Sequence, residues 1–189
     1  MFVRMTLSVA LAVVAAMPLI AQDSKSENKS FDVRSSVGDM HVGGDADAKK
    51  VGLPLYPGAR LKAGDDHNSD QANLSILTEA FGMKLVVANY VSDDQPSKII
   101  DFYRDKLKRY GKVLECHSHK EGATVNSNDD DKDSSKSKEL KCDDDSGPVT
   151  ELKVGTEDNQ HVVAVEPGDG RGSHFALVYV HTRGKQGDI

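Results

Sequence analysis

Three kinds of side chain in this 189-residue chain have the type and spacing to hold a ligand. Asp129, Asp131 and Asp133 alternate as the first oxygen ligands of a calcium loop do. Such a loop also needs Gly at its sixth position and a bidentate Glu at its twelfth. Those positions are Ser134 and Leu140, and Lys132 and Lys136 place cations among the ligands. His117 and His119 lie two apart, so on a strand they share a face, and a third imidazole from His161, His174 or His181 would complete a zinc or copper set. Gly168, Gly170 and Gly172 space like a phosphate loop, but strand-like runs flank them, where a phosphate cradle needs a helix start. A hairpin turn is the better reading. The serines form no Gly-x-Ser-x-Gly elbow, and Ser, His and Asp in one composition are no evidence for a triad. No catalytic residue and no cofactor is assigned on these patterns. The metal candidates are His117, His119, Asp129, Asp131 and Asp133.

The compartment is the clearer signal. Met1 to Arg4 supplies one cation, and the run from Leu7 to Ile20 is 14 apolar-rich residues closing near Pro18 and Ala21. That layout is a secretory signal. It is shorter than the roughly 20 apolar residues a spanning helix needs. Cleavage is expected after Ala21, with Ala16 as the alternative. The chain is therefore expected to work outside the cytoplasm, periplasmic or secreted, with no transmembrane segment in its mature form. In that setting Cys116 and Cys142 are expected to form a disulfide, which leaves no thiol nucleophile. Closing such a loop stabilises by about 3 to 4 kcal/mol in the chain-entropy picture. Loss of residues 1–21 takes Arg4 with it, leaving 23 cations against 30 acidic residues, a net of −7. That balance disfavours nucleic acid as a partner. An unknown envelope or extracellular partner is expected instead.

Residues 22–30 carry no apolar side chain and read as a disordered leader. Residues 31–50 hold a hairpin signal, with Phe31, Val33, Met40 and Val42 alternating around Val37-Gly38-Asp39. Pro54 and Pro57 forbid regular structure from Val51 to Gly58, although Leu53, Leu55 and Tyr56 suit packing. Two strand-like runs, 72–80 and 84–91, flank a turn at Phe81-Gly82-Met83. A helix over 96–110 is announced by an Asp cap and Pro96, carries Ile100, Tyr103 and Leu107 at helical spacing, and stops at Gly111. Its aromatic face is expected to be core. Residues 112–116 form a strand, and 117–148 form a polar loop with 8 acidic and 4 basic residues between Asp129 and Asp145. Strands at 149–154, 161–165 and 174–182 follow, then a tail at 183–189. The expected fold is α+β, a mainly antiparallel sheet with one principal amphipathic helix packed on a face. A single domain over 51–182 follows the N-terminal hairpin.

Gly52-Leu53-Pro54-Leu55-Tyr56-Pro57-Gly58-Ala59 resembles the GLPxYPGA motif of exported bacterial proteins of unknown function. Tyr90-Val91-Ser92-Asp93, followed by Pro96, Ile100, Phe102, Tyr103 and Leu107, resembles their strand, Ser-Asp-x-x-Pro and Phe-Tyr helix segment. The resemblance covers about 51–182. It implies the same order of elements and the same compartment, and it transfers no site. The leading expectation is a non-catalytic exported domain that acts by binding or envelope association. The alternatives are a small exported hydrolase or metal-dependent enzyme, and a metal-binding protein using His117 and His119 or the acidic loop.

Overall fold

The structure is a computed structural model that describes residues 30–63, 71–119, 123, 139–168 and 170–184. The expected signal segment 1–21, most of the polar loop, the expected leader 22–30 except Ser30, which begins a strand, and the expected tail 183–189 except Arg183 and Gly184, which end one, lie outside these residues. Within them the chain forms β1 (Ser30–Ser35), β2 (Gly38–Gly43), α1 (Ala48–Val51), β3 (Arg60–Leu61), β4 (Gln71–Thr78), β5 (Phe81–Ser92), α2 (Pro96–Leu107), β6 (Leu114–Ser118), β7 (Val149–Thr156), β8 (Asn159–Pro167) and β9 (Ser173–Gly184). The strands make one nine-stranded sheet in the order β1-β2-β4-β5-β9-β8-β7-β6, with β3 pairing β5. Every strand pairing is antiparallel. One main helix packs against it, over β7 and β8.

Side chains alternate across a strand, so each strand feeds two faces. Val86, Ala88, Leu152, Val154, Val163, Val165, Phe175 and Leu177 point to the face that α2 covers, where Ile99, Tyr103 and Leu107 meet them, all but fully buried. Sequence periodicity places both Ile99 and Ile100 on this stripe and expects Ile100 to be buried. The structure places it half-buried and puts Ile99 in the core, because positions 99, 103 and 107 recur every four residues along one line of the helix. The helix also differs at its ends. Its N-cap is Gln95, with no side-chain cap bond, while Asp94 is engaged with Lys98 and Tyr56. Its final turn, 108–110, tightens to a 3-10 turn before Gly111.

Three turns or strand ends shift for local reasons. The first hairpin turns at Ser36-Val37, one step before the expected site. The second turns at Glu79-Ala80, where Thr78 Oγ1 accepts from Phe81 N at 2.9 Å and donates to Phe81 O at 3.0 Å. That bracket frees Phe81 and Gly82 to pair with Gly184 and Arg183. The strand expected at 112–116 lies at Leu114–Ser118, so His117 belongs to a strand and not to the loop.

The aromatic residues matter more than their scarcity implies. Tyr56, Tyr90, Phe102 and Tyr103 surround Phe175 and one another at ring separations of 5.0 to 6.4 Å. Each buried hydroxyl is satisfied. Tyr103 Oη donates to Pro54 O at 3.2 Å and accepts from Tyr56 N at 3.1 Å. Tyr90 Oη accepts from Ala48 N at 2.8 Å. The proline-rich segment 53–57 is thus hydrogen-bonded through tyrosine in place of a ladder. Gly52, at φ 87°, closes α1 in the left-handed region.

Tyr103→Phe keeps the ring and removes the hydroxyl that serves Pro54 O and Tyr56 N. It should destabilise the fold by about 1 to 3 kcal/mol, the cost of an orphaned buried backbone group. Chemical denaturation of the two proteins measures this. An unchanged midpoint would show that water replaces the hydroxyl at no cost.

Candidate functional site

The metal candidates do not converge. His117 pairs with Thr150 inside β6, and its backbone bridges to Asp145. His119 is exposed, with Nδ1 at 3.2 Å from Asp144 Oδ2, which draws the Asp144 carboxyl below its usual range. Asp129, Asp131 and Asp133 lie outside the described residues. Among the described residues no three His, Cys, Asp or Glu side chains gather at a metal-binding distance. The Gly-rich run is a turn, with Gly168 N donating to Gly172 O at 2.9 Å between β8 and β9. Cys116 and Cys142 are disulfide-bonded, with Cα atoms 5.4 Å apart. Their bridge has a local use. Glu139 bridges to Thr156 and Asp145 to His117, so the chain from 139 to 145 runs beside β6 and the disulfide ties it there, covering that sheet edge.

The other histidines are dispersed too, and one sits in an unforeseen setting. His161 points to the core face of β8 and stacks between Tyr110, at 4.2 Å, and Tyr179, at 4.7 Å. Burial holds its imidazole below the ordinary range, a hydrogen bond to the Val51 backbone opposes this, and the Arg109 charge adds to the lowering. Tyr110 Oη donates to Gly52 O at 2.5 Å, and Arg109 Nη2 donates to Gly52 O at 3.1 Å. The row therefore clamps the end of α1 to the sheet. Next to it an open groove of about 520 Å³ runs between α1 and residues 52–55, with Leu53, Pro54 and Leu55 on its walls and Lys49 and Arg109 beside them. His174 lies 3.8 Å from Glu166.

The sheet extends well past the helix. β1, β2, β4 and the first half of β5 form a wing whose faces differ. On the helix side the register aligns Asp32, His41, Ser75 and Lys84. His41 Nδ1 lies 2.8 Å from Asp32, which raises its pKa, and Asp45 pairs with Lys50 and accepts from Asn73 Nδ2 at 3.1 Å. The Lys50 pairing brings the Asp45 carboxyl to about 2. On the opposite side the register aligns Phe31, Val42, Leu74, Leu85 and Val180 in one row, and Val33, Met40, Ile76 and Met83 in the next. These rows run into the second core cluster of Val149, Val162, Ala164, Ala176 and Val178. Toward β1 they are uncovered, with Phe31 60 %, Val42 42 % and Val33 38 % exposed. Exposed apolar side chains gathered on one strand face make this surface a candidate for binding.

No family model, curated protein or solved structure matches this chain. What the site can do therefore rests on its own chemistry. Among the described residues no helix is long and apolar enough to cross a membrane.

Glu151 and Lys153 carry no signal that sequence alone singles out. They lie two apart on the second face of β7, with Lys153 Nζ 3.2 Å from Glu151 Oε2 and both fully buried. Such a pair is costly to break and adds little net stability when intact.

His161 yields a pH prediction. Its folded pKa lies below the ordinary 6.5, so its contribution to stability is whole above that value and is lost as pH falls from there to the lowered one. The unfolding midpoint of the native protein should fall more steeply on acidification than that of His161→Gln. Parallel pH series in denaturant measure the difference, and equal slopes would remove His161 from the acid response.

Proposed function

We propose that this chain is an exported, non-catalytic domain that acts by binding, and that the apolar face of its wing is the binding surface. The carrying observation is the pair of cross-strand rows ending in exposed Phe31, Val33 and Val42 on a wing whose other face carries Asp32, His41 and Lys84. The proposed occupant is an apolar surface of another extracytoplasmic protein. Neither row contains a charge to recognise ions or sugars, and a chain of net −7 is repelled by anionic lipid. The disulfide and the short apolar N-terminal run support export and cleavage after Ala21. A metal-dependent enzyme draws no support from the scattered positions of His117, His119, His161 and His174.

A photo-crosslinking side chain at Val42, in protein expressed by its own cell, should trap a specific envelope protein. The same probe in a Phe31→Ser background should lose most of that product. Both positions are exposed, so the variant should keep its unfolding midpoint. Products that survive Phe31→Ser unchanged, or crosslinks to lipid only, would refute the reading. N-terminal sequencing of envelope material checks export, and an intact Met1 would count against it.

A further inference from the structure

The two edges of this sheet are treated differently. The β6 edge is covered by residues 139–145 and the disulfide. Among the described residues only β2 pairs with β1, so its outer edge has no strand partner. All six residues are exposed, none is Pro or Lys, and the pairing with β2 has no bulge. Native proteins usually blunt such an edge, because its unpaired backbone groups are a template for another strand. We propose that β1 pairs with β1 of a second copy of this chain, antiparallel about a two-fold axis at Val33, joining two sheets into one.

The register follows from the hairpin. Ser35 and Gly38 close a two-residue turn, so they form a hydrogen-bonded pair. Hydrogen-bonded and open pairs then alternate along the ladder. Residues 31, 33 and 35 therefore direct their backbone groups at β2, and 30, 32 and 34 direct theirs at the free edge. A second copy must oppose these outward residues with its own. If Asp32 faces Asp32 of the other copy, like charges meet, and the same holds for Arg34 facing Arg34. With the axis at Val33, Asp32 faces Arg34 of the other copy twice over, and Val33 meets Val33 on the apolar side. Arg34 has no carboxylate partner among the described residues. Asp32 is held by His41 on its own strand pair and keeps a second oxygen for the new contact. The strand is thus self-complementary in one register, as a two-fold interface requires. The assembly leaves the apolar rows open and sets two of them side by side. It does not depend on what those rows bind.

Sedimentation velocity of the purified protein tests this over a concentration series up to about 100 µM. The native protein should show a monomer–dimer equilibrium. Asp32→Arg and Arg34→Asp, each alone, should weaken the dimer about tenfold or more, since each puts like charges opposite each other. The double variant Asp32→Arg/Arg34→Asp should restore it. An equimolar mixture of the two single variants should form a mixed dimer, because the arginine introduced in one chain then faces the aspartate introduced in the other. A native protein that stays monomeric throughout overturns the proposal. So do single variants that dimerise normally, or a mixture that fails to associate. Unchanged unfolding midpoints separate lost association from lost fold. The crosslinking of Val42 reads a different surface, so either result can fail without the other.

Discussion

The backbone of residues 53–56 has no regular ladder of its own, because Pro54 and Pro57 interrupt it, yet it lies against the core with Leu53 and Tyr56 buried. The Tyr103 hydroxyl answers both an acceptor and a donor of that segment from the middle of α2. Much else is fixed through this contact. It holds α2 at the height where Ile99 and Leu107 meet β7 and β8, it sets Tyr56 against Phe102 and Phe175, and it carries α1 to Tyr90. Burial pushes the Tyr103 hydroxyl well above its ordinary range, so it stays neutral and can donate and accept at once. The segment from Gly52 to Ala59 is therefore a packing device.

The two faces of the sheet answer different demands. One is a closed core of aliphatic strands under one helix. The other begins in a second apolar cluster with a buried Glu151–Lys153 pair at one end, and passes without a break into the exposed rows of the wing. Burial of this second face is complete at Val162 and fades toward β1. The charged side of the wing ties it to α1 through Asp32, His41, Asp45 and Lys50. The wing is thereby held in line with the core while its apolar side stays uncovered.

Pro96, the four-residue apolar spacing and Gly111 locate α2 from the residues alone, because a helix start, a stripe and a stop are local signals. The disulfide follows from an even pair of cysteines in a chain expected to be exported. The antiparallel order follows from short turns between strands. Other features need register, which no local pattern supplies. Phe31, Val33, Met40 and Val42 alternate visibly, but their alignment with Leu74, Ile76 and Leu85 depends on two hairpin turns, and neither lies where local signals put it. Thr78 decides one of them with a hydroxyl bracket. The α1 helix has readable signals, Asp47 before it and Gly52 after it, but at four residues it is too short to show a period. His161 stands among valines at a core-facing position, and that parity is the available clue to its burial.

The strand order also bears on how the chain can be made. β9 is the last strand among the described residues and lies between β5 and β8, paired along twelve residues with the former. Synthesis from the N-terminus delivers residues 30–167 before this strand exists. Until it arrives, β5 and β8 have no common neighbour, and the core under α2 has no Phe175 or Leu177. Contacts so distant in sequence form late. Truncation ahead of Ser173 would remove the centre of the sheet and not its margin, so β9 acts as a completion check on the strands synthesised before it.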